Sequence, residues 1–497
     1  MEPVANVIDG KIRAANSGET FLKYDPATGE EMLRVPRSGK DDVLRAVDAA
    51  EVAFSVWSII SPMERGKFLR SITQRIEADA EFFAKMISSE AGKSLKDARG
   101  EVAAVVEMGH FVAGEATRYY GKITTSVIPN REARIKRAPV GICALITPAN
   151  NPFAAVAWKA FPALMCGNTC VMKPSEDTPL VATIFAKMVA EELKKRNWPL
   201  GVFSVVHGLG SEAGAALVAD KRVRLVSFTG SVTTGLSIQK AVSGRPVKLC
   251  LELGGKNALV VCDDADMEQA VNSAVLSAFS NAGQRCAAGS RIIVFDSVYE
   301  KFKEAMVLRV NNLRVGMDDR DDFGPVISKR QLDSIFKKVF FAVENSASML
   351  TGGPFVNSHE KFSSHGERSP GGYYFAPTIL EGALPSEPIS RDEVFGPVAC
   401  LYRVKDLNEA IALVNDTEFG LTAAIHTSNL HRAREFEEKA RVGVVSINGH
   451  TYGSEPHMPF GGFGHSGNGY REAGTEALDL YSDWKIVYER YFPENSH

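Results

Sequence analysis

A thiol set among small residues and a carboxylate next to a glycine pair are the groups in this chain best suited to covalent chemistry. Cys286 lies in residues 281–289, N-A-G-Q-R-C-A-A-G, just after an apolar run with helical spacing at 270–279. The alanines and glycine after it leave room for a substrate carbon to approach the sulfur. Glu252 lies in residues 251–257, L-E-L-G-G-K-N, between two leucines. A thiolate that attacks a carbonyl and a carboxylate that activates water form a pair for acyl transfer. Taken singly, each has a plainer reading: an inert core cysteine, and a solvated or capping glutamate.

Five other stretches could serve such a pair. Thr147-Pro148-Ala149-Asn150-Asn151-Pro152 holds two amides in a proline-stiffened turn, and a fixed amide can stabilise an oxyanion by about 3 kcal/mol. Turn chemistry alone would also place Asn there. Phe228-Thr229-Gly230-Ser231, with Gly235 beyond, ends an apolar strand and opens a helix, whose free N–H groups suit a pyrophosphate. It departs from G-x-G-x-x-G and reads equally well as a tight turn. Lys173 and Glu176 follow another strand. An acid there can hold a ribose diol and would repel a 2′-phosphate, which favours NAD over NADP, although a solvated ion pair reads as well. E-V-F-G-P at 393–397 and P-F-G-G-F at 459–463 are turns with hydrophobic anchors. Gly92-Lys93-Ser94 looks like the end of a P-loop, but Ile87 occupies the position where that motif needs glycine, so a turn between helices is expected.

The elements around these stretches alternate. Helical periodicity is expected at 40–57, from a capping box at Ser61–Glu64, and at 94–120. A β-prone basic stretch, 121–139, reads as a hairpin for the surface or for self-association. From residue 140, strands at 141–147, 169–173, 202–207 and 225–229 alternate with helices at 152–164, 180–195 and 211–217. That is the pattern of an α/β, doubly wound parallel sheet. A second α/β section follows, with a long Gly/Ser/His-rich loop at 352–372 and a closing strand in 476–490. The 497 residues exceed one core, so two or three domains are expected. A net charge of −3 gives no bulk attraction to nucleic acid or anionic lipid. No signal peptide or membrane-spanning run is visible. Seven scattered cysteines lack zinc-site spacing, which points to a reducing, cytoplasmic setting and no metal.

In order, P-A-N-N-P, K-P-S-E, F-T-G-S-x-x-x-G, L-E-L-G-G-K-N, G-Q-R-C, E-V-F-G-P and P-F-G-G-F resemble the NAD(P)-dependent aldehyde dehydrogenase superfamily over essentially the whole chain. The resemblance implies a Rossmann-like cofactor domain at 1–120 and 140–251 and an α/β catalytic domain at 252–460. It further implies an oligomerisation arm at 121–139 and 478–497 that builds a homodimer or homotetramer. Cys286 is then the nucleophile, Asn150 and the Cys286 N–H the oxyanion hole, and Glu252 the general base, with Lys159 and Glu472 relaying protons. Thr147, Pro148, Lys173, Glu176, Gly230, Ser231, Gly235, Glu393 and Phe395 would line an NAD site, with NADP the lesser alternative. The carboxylate at 252 favours hydrolysis, since coenzyme A-acylating branches lack it. The intact set Cys286, Glu252 and Asn150 argues against a non-catalytic member. Ala149 and Asn151 depart from the Trp and Phe of many relatives. Arg285 resembles a residue of enzymes for anionic aldehydes; it could pair with a distal carboxylate or tie down a loop. Ala155 and the loop 454–458 with Met458 would shape the substrate entrance. The tail resembles that of dicarboxylate semialdehyde enzymes.

Overall fold

The computed structural model describes residues 4–353 and 372–491. Two seven-stranded sheets carry the chain. In the first, the order across the sheet is Lys248–Glu252, Val223–Thr229, Ile142–Ile146, Thr169–Lys173, Phe203–Val205, Asn6–Ile8 and Lys11–Arg13. The first five run parallel, and the N-terminal hairpin closes one edge antiparallel. I-C-A-L-I and T-C-V-M-K are buried along their whole length, as strands covered on both faces must be. Separate apolar clusters fill those two faces.

Four helices precede the strand Ile142–Ile146: α1 (Lys40–Trp57), which packs on this sheet, and α2 (Pro62–Ala78), α3 (Ala80–Ala91) and α4 (Leu95–Glu115), which pack against one another. Of the apolar stripe that the α1 periodicity implies, Val43, Ala46, Val47 and Ala50 are buried and Phe54 is half-buried. Ser61 caps α2 by accepting the Glu64 N–H at 3.3 Å. The Glu64 carboxylate turns outward to Lys67 at 2.7 Å, so only half of the expected capping box forms. The Gly92-Lys93-Ser94 stretch is the turn between α3 and α4, and Ser94 caps α4. A further helix, α5 (Pro152–Met165), follows the strand Ile142–Ile146.

The second sheet runs Ser348–Gly353, Ala376–Glu381, Val398–Val404, Gly289–Phe295, Asn257–Val261, Thr422–His426 and Val444–Ile447, parallel except at its first strand. It has its own apolar cluster. A third, three-stranded sheet joins Lys122–Thr125, Arg131–Pro139 and Ser482–Arg490, with Ser482 opposite Pro139 and Arg490 opposite Arg131. Its faces expose Ile123, Trp484, Ile486 and Tyr488.

Three expectations differ from the structure or fall outside it. Residues 476–490 do not form one strand: Glu476–Leu480 is a helix, and the strand begins at Ser482. Ala477, Leu478, Leu480 and Tyr481 are buried at helical spacing, which outweighs the alternation further on. The expected helix at 211–217 is a wide π turn, Gly210–Gly214, followed by Ala215–Ala219, since glycine at both ends of the turn weakens a regular helix. The loop read at 352–372 falls outside the described residues over 354–371, and Gly352 and Gly353 end a strand.

Candidate active site

In the first sheet, chain order reverses between Ile142–Ile146 and Val223–Thr229, the place where an open parallel sheet leaves a crevice beyond its carboxyl ends. Thr147 and Pro148 follow one of these strands, and Gly230 and Ser231 follow the other. Ser231 caps the helix Val232–Val242 by accepting the Thr234 N–H at 3.3 Å. A Cβ on Gly230 would lie 2.6 Å from the Phe228 ring, and one on Gly235 2.6 Å from the Leu253 side chain. Both glycines are therefore close-approach positions. Lys173 pairs with Glu176 at 2.9 Å, and Glu176 also accepts the Gly210 N–H. Burial opposes ionisation of Glu176, but Lys173 and the backbone donors together hold its carboxyl below the usual range.

A cleft of about 370 Å³ brings together Pro148, Asn150, Gly230, Ser231, Cys286, Glu393 and Phe395. A shallower groove of about 630 Å³ lies over Tyr299 and Arg403. Arg403 is committed to Asp296 and Glu300, and no nucleophile lines that groove.

The loop that carries Cys286 is tightly specified. After the helix Met267–Phe279, Asn281, Ala282 and Gly283 adopt φ of 54°, 55° and 67°. Two of these are left-handed without being glycine, a conformation held only by its surroundings. Asn257 Nδ2 donates to the carbonyls of Cys286 at 2.7 Å and Ala288 at 2.9 Å. Thr451 donates to the Ala287 carbonyl at 2.7 Å. A Cβ on Gly255 would lie 2.4 Å from the Cys286 carbonyl oxygen, so the glycine pair of L-E-L-G-G-K-N admits the loop and its Asn holds it.

Asn150 Nδ2 donates to the Gln284 carbonyl at 2.8 Å, and Asn281 Nδ2 to the Asn150 carbonyl at 3.2 Å. One N–H of the Asn150 amide fixes its plane, which leaves the other for the cleft that Asn150 lines. Burial raises the pKa of the Cys286 thiol, and the carboxylates of Glu252 and Glu393 raise it further. The Ala287 N–H and Arg285 act in the opposite sense.

Glu252 ends its strand fully buried, and its Oε1 has no hydrogen-bond partner among the described residues. Burial pushes its carboxyl well above the usual range, Glu472 adds to this, and Lys159 and Arg471 oppose it. A buried carboxylate oxygen left without a donor is costly and suits a group that must take a proton from water. Asn468 bonds both the Leu251 N–H, at 2.9 Å, and the Leu249 carbonyl, at 2.6 Å, so it stands in for a missing strand beside Glu252. Lys159, on α5, bridges to Glu472 in the interior, and Ser227 bonds both. Phe460, in P-F-G-G-F, exchanges two backbone hydrogen bonds with Glu472, at 2.7 and 2.8 Å.

Burial pushes Glu393 up to about 7, against the Gly255 N–H, Lys338 and Lys256. Gln331 donates to the Val394 and Phe395 carbonyls at 3.0 and 2.8 Å, which holds Phe395 at φ 53°. Arg285 bonds Asp97 at 3.2 Å and Ser280 at 3.1 Å, and lies 4.6 Å over the Tyr452 ring. Ala155 sits half-buried in the first turn of α5, and Met458 is exposed; neither lines the cleft. The roles of Asn257, Gln284, Gln331, Asn468 and Asp97 went unread. The first two sit inside quoted motifs, and the others carry no local signal.

Among the described residues no group of three His, Cys, Asp or Glu side chains is placed to hold a metal ion, and no helix is long and apolar enough to cross a membrane. The sequence profile of the aldehyde dehydrogenase family matches residues 12–487. The chain is 38% identical to 2,5-dioxopentanoate dehydrogenase of Saccharolobus solfataricus over 95% of its own length and 97% of that protein. It is 35% identical to alpha-ketoglutaric semialdehyde dehydrogenase of Bacillus subtilis, over 97% of each. A solved structure of betaine aldehyde dehydrogenase from Staphylococcus aureus in complex with NAD+ superposes with a TM-score of 0.92, at 33% identity, covering 99% of this chain and 95% of that one. With a half-buried thiol and amide lining a cleft at the switch point of its first sheet, a buried Glu252 just ahead of the cleft residues Leu253 and Gly254, and this match along nearly its whole length, the chain belongs to the aldehyde dehydrogenase family.

Proposed function

We propose that the protein oxidises an aldehyde, a small anionic aldehyde or semialdehyde, to its carboxylic acid through an acyl-enzyme on Cys286 that water cleaves. The observation that carries this is that Cys286 shares one cleft with Asn150, Leu253 and Gly254, the last two directly following the buried Glu252. The Cys286 sulfur adds to the carbonyl carbon, and the new oxyanion takes hydrogen bonds from Asn150 Nδ2 and the Cys286 N–H. NAD+, when bound, supplies the acceptor for the hydride that leaves that carbon. Glu252 then removes a proton from water, which attacks the thioester and releases acid and free thiol. The balance is one aldehyde, one NAD+ and one water to one carboxylate, one NADH and two protons.

The cleft suits a dinucleotide. Gly230 leaves the backbone open where a side chain would intrude, the helix Val232–Val242 presents its N-terminus, Glu393 in the cleft offers an acceptor for ribose hydroxyls, and Glu176, between the cleft residues Ser175 and Asp177, offers another. An acidic Glu176 favours NAD over a 2′-phosphorylated cofactor. The relatives named for semialdehydes support an anionic substrate, while Arg285, paired with Asp97 and outside the cleft lining, takes the loop-tying alternative. Residues 1–120 and 140–251 would hold the cofactor and 252–460 the acyl chemistry. The exposed apolar faces of the three-stranded sheet suit pairing with a second copy, as a homodimer or homotetramer. Seven free cysteines suit a reducing cytoplasm.

The test is purified protein with NAD+ or NADP+ and a panel of neutral and anionic aldehydes, with and without coenzyme A. The expected result is NADH formation fastest with a dicarboxylate semialdehyde and independent of coenzyme A. No reduced cofactor with any aldehyde, or strict dependence on coenzyme A, would overturn the proposal.

The base also makes a pH prediction. Acid release needs ionised Glu252, so its rate rises with pH through a midpoint well above the ordinary carboxylate range. Glu472→Gln removes a negative charge that opposes this ionisation and leaves Lys159 beside the base. The rising limb of kcat should move to lower pH, read from a pH–rate profile. A limb that stays put would mean that the base does not feel Glu472.

A further inference from the structure

The first turns of α4 lie against both segments that supply the oxyanion hole. Lys93, just before the Ser94 cap, is 2% exposed at its side chain and donates to Glu101 Oε2 at 2.6 Å and to Asn151 Oδ1 at 2.7 Å. Glu101 Oε1 accepts the N–H groups of Phe153 at 2.8 Å and Ala154 at 2.9 Å. These are free donors of the first turn of α5, immediately after Asn150. Asp97, one turn before Glu101 on the same helix face, serves the other segment. Its Oδ2 accepts the Asn281 N–H at 2.9 Å, and its Oδ1 accepts from Arg285 at 3.2 Å. Asn281 opens the left-handed run that leads to Cys286, and its side chain reaches the Asn150 carbonyl.

We propose that this charged face of α4 sets the oxyanion hole: Asp97 is a positioning residue for the Cys286 loop, and the Lys93–Glu101 pair positions the Asn150 turn. The Asn150 turn follows a strand of the first sheet, and the Cys286 loop precedes a strand of the second. Neither sheet alone fixes the distance between the two oxyanion donors. The direct Asn150–Gln284 and Asn281–Asn150 bonds join the segments, and α4 holds both of them from behind through side chains in ion pairs, so it steadies that separation. Asp97 also supplies an anchor for the strained Asn281–Ala282 pair that backbone preference alone would release. The Gly92-Lys93-Ser94 turn, which resembles a phosphate loop in sequence, is used instead to place a buried ammonium under Asn151.

This role of α4 presupposes the acyl-enzyme chemistry proposed above, and the test separates the two. Single-turnover NADH formation is measured at saturating aldehyde for the wild type, Asp97→Ala, Asn150→Ala and the double variant, alongside NAD+ affinity by fluorescence titration. Asp97→Ala is expected to slow the first turnover roughly 30-fold with NAD+ affinity within about twofold, and to cost less than about threefold once Asn150 is already Ala. Asp97→Asn keeps an acceptor for the Asn281 N–H and should restore most of the rate. Glu101→Ala, slowed in the same way and restored by Glu101→Gln, which keeps an acceptor for the Phe153 and Ala154 N–H groups, gives the same reading on the other segment should Asp97→Ala fail to fold. Additive losses in the double variant, a first turnover unchanged in Asp97→Ala, or loss that follows NAD+ affinity would overturn the role of α4. An Asn150→Ala enzyme with an undiminished first turnover would instead overturn the acyl-enzyme reading itself.

Discussion

Cys286→Ser is expected to lower kcat for NADH formation by roughly 10³-fold while leaving NAD+ affinity within about twofold. The replacement keeps the size of the side chain, and the backbone is held independently: Asn257 grips the Cys286 and Ala288 carbonyls, and Thr451 grips Ala287. The loop should therefore keep its shape. What changes is the nucleophile, since a serine hydroxyl here has no adjacent base hydrogen-bonded to it. The six other cysteines are buried and do not line the cleft, so none can stand in. Steady-state NADH production and a fluorescence titration with NAD+ make the comparison. Turnover within tenfold of wild type would remove Cys286 from the chemistry.

Glu252→Gln should separate the two halves of the reaction. Loss of the base stops water activation, so kcat is expected to fall by roughly 10²-fold. Thiol addition and the first hydride transfer do not need it. Removing the negative charge also lifts one of the influences that raise the thiol pKa, so the first turnover should hold its rate or gain. The signature is a burst of about one NADH per site followed by near silence, seen by stopped-flow absorbance. An equal loss in burst and steady state would mean that Glu252 acts before the thioester. Undiminished turnover would mean that another group activates water.

Much of this site was legible because its chemistry-bearing residues sit in short motifs at element ends. Gly230 follows a strand and opens a helix, Asn150 follows a strand and precedes Pro152, and Cys286 follows an apolar helix. Local turn chemistry and binary pattern fix each of these without distant partners. The parallel sheets were legible for the same reason, since strands such as Ile142–Ile146 and Asn257–Val261 are apolar on both faces. What stayed hidden acts over long sequence separation. Asp97 meets Arg285 across nearly two hundred residues, and Asn468 completes the edge of the strand that carries Glu252. Neither residue type nor spacing announces such a contact. The half-exposed strand Val444–Ile447 and the amphipathic helix Leu430–Lys439 were also missed, for want of a continuous apolar run. The tail was misread because buried helical spacing at 477–481 runs directly into the alternation of Ser482–Arg490.

The acyl-enzyme itself can be weighed. Glu252→Gln protein mixed with NAD+ and a semialdehyde, quenched in acid within the burst and digested, is expected to carry an adduct on the peptide containing Cys286. Its mass should equal that of the aldehyde less two hydrogens, as a thioester requires. An unmodified Cys286 peptide after a full NADH burst, or an adduct on any other residue, would contradict the account.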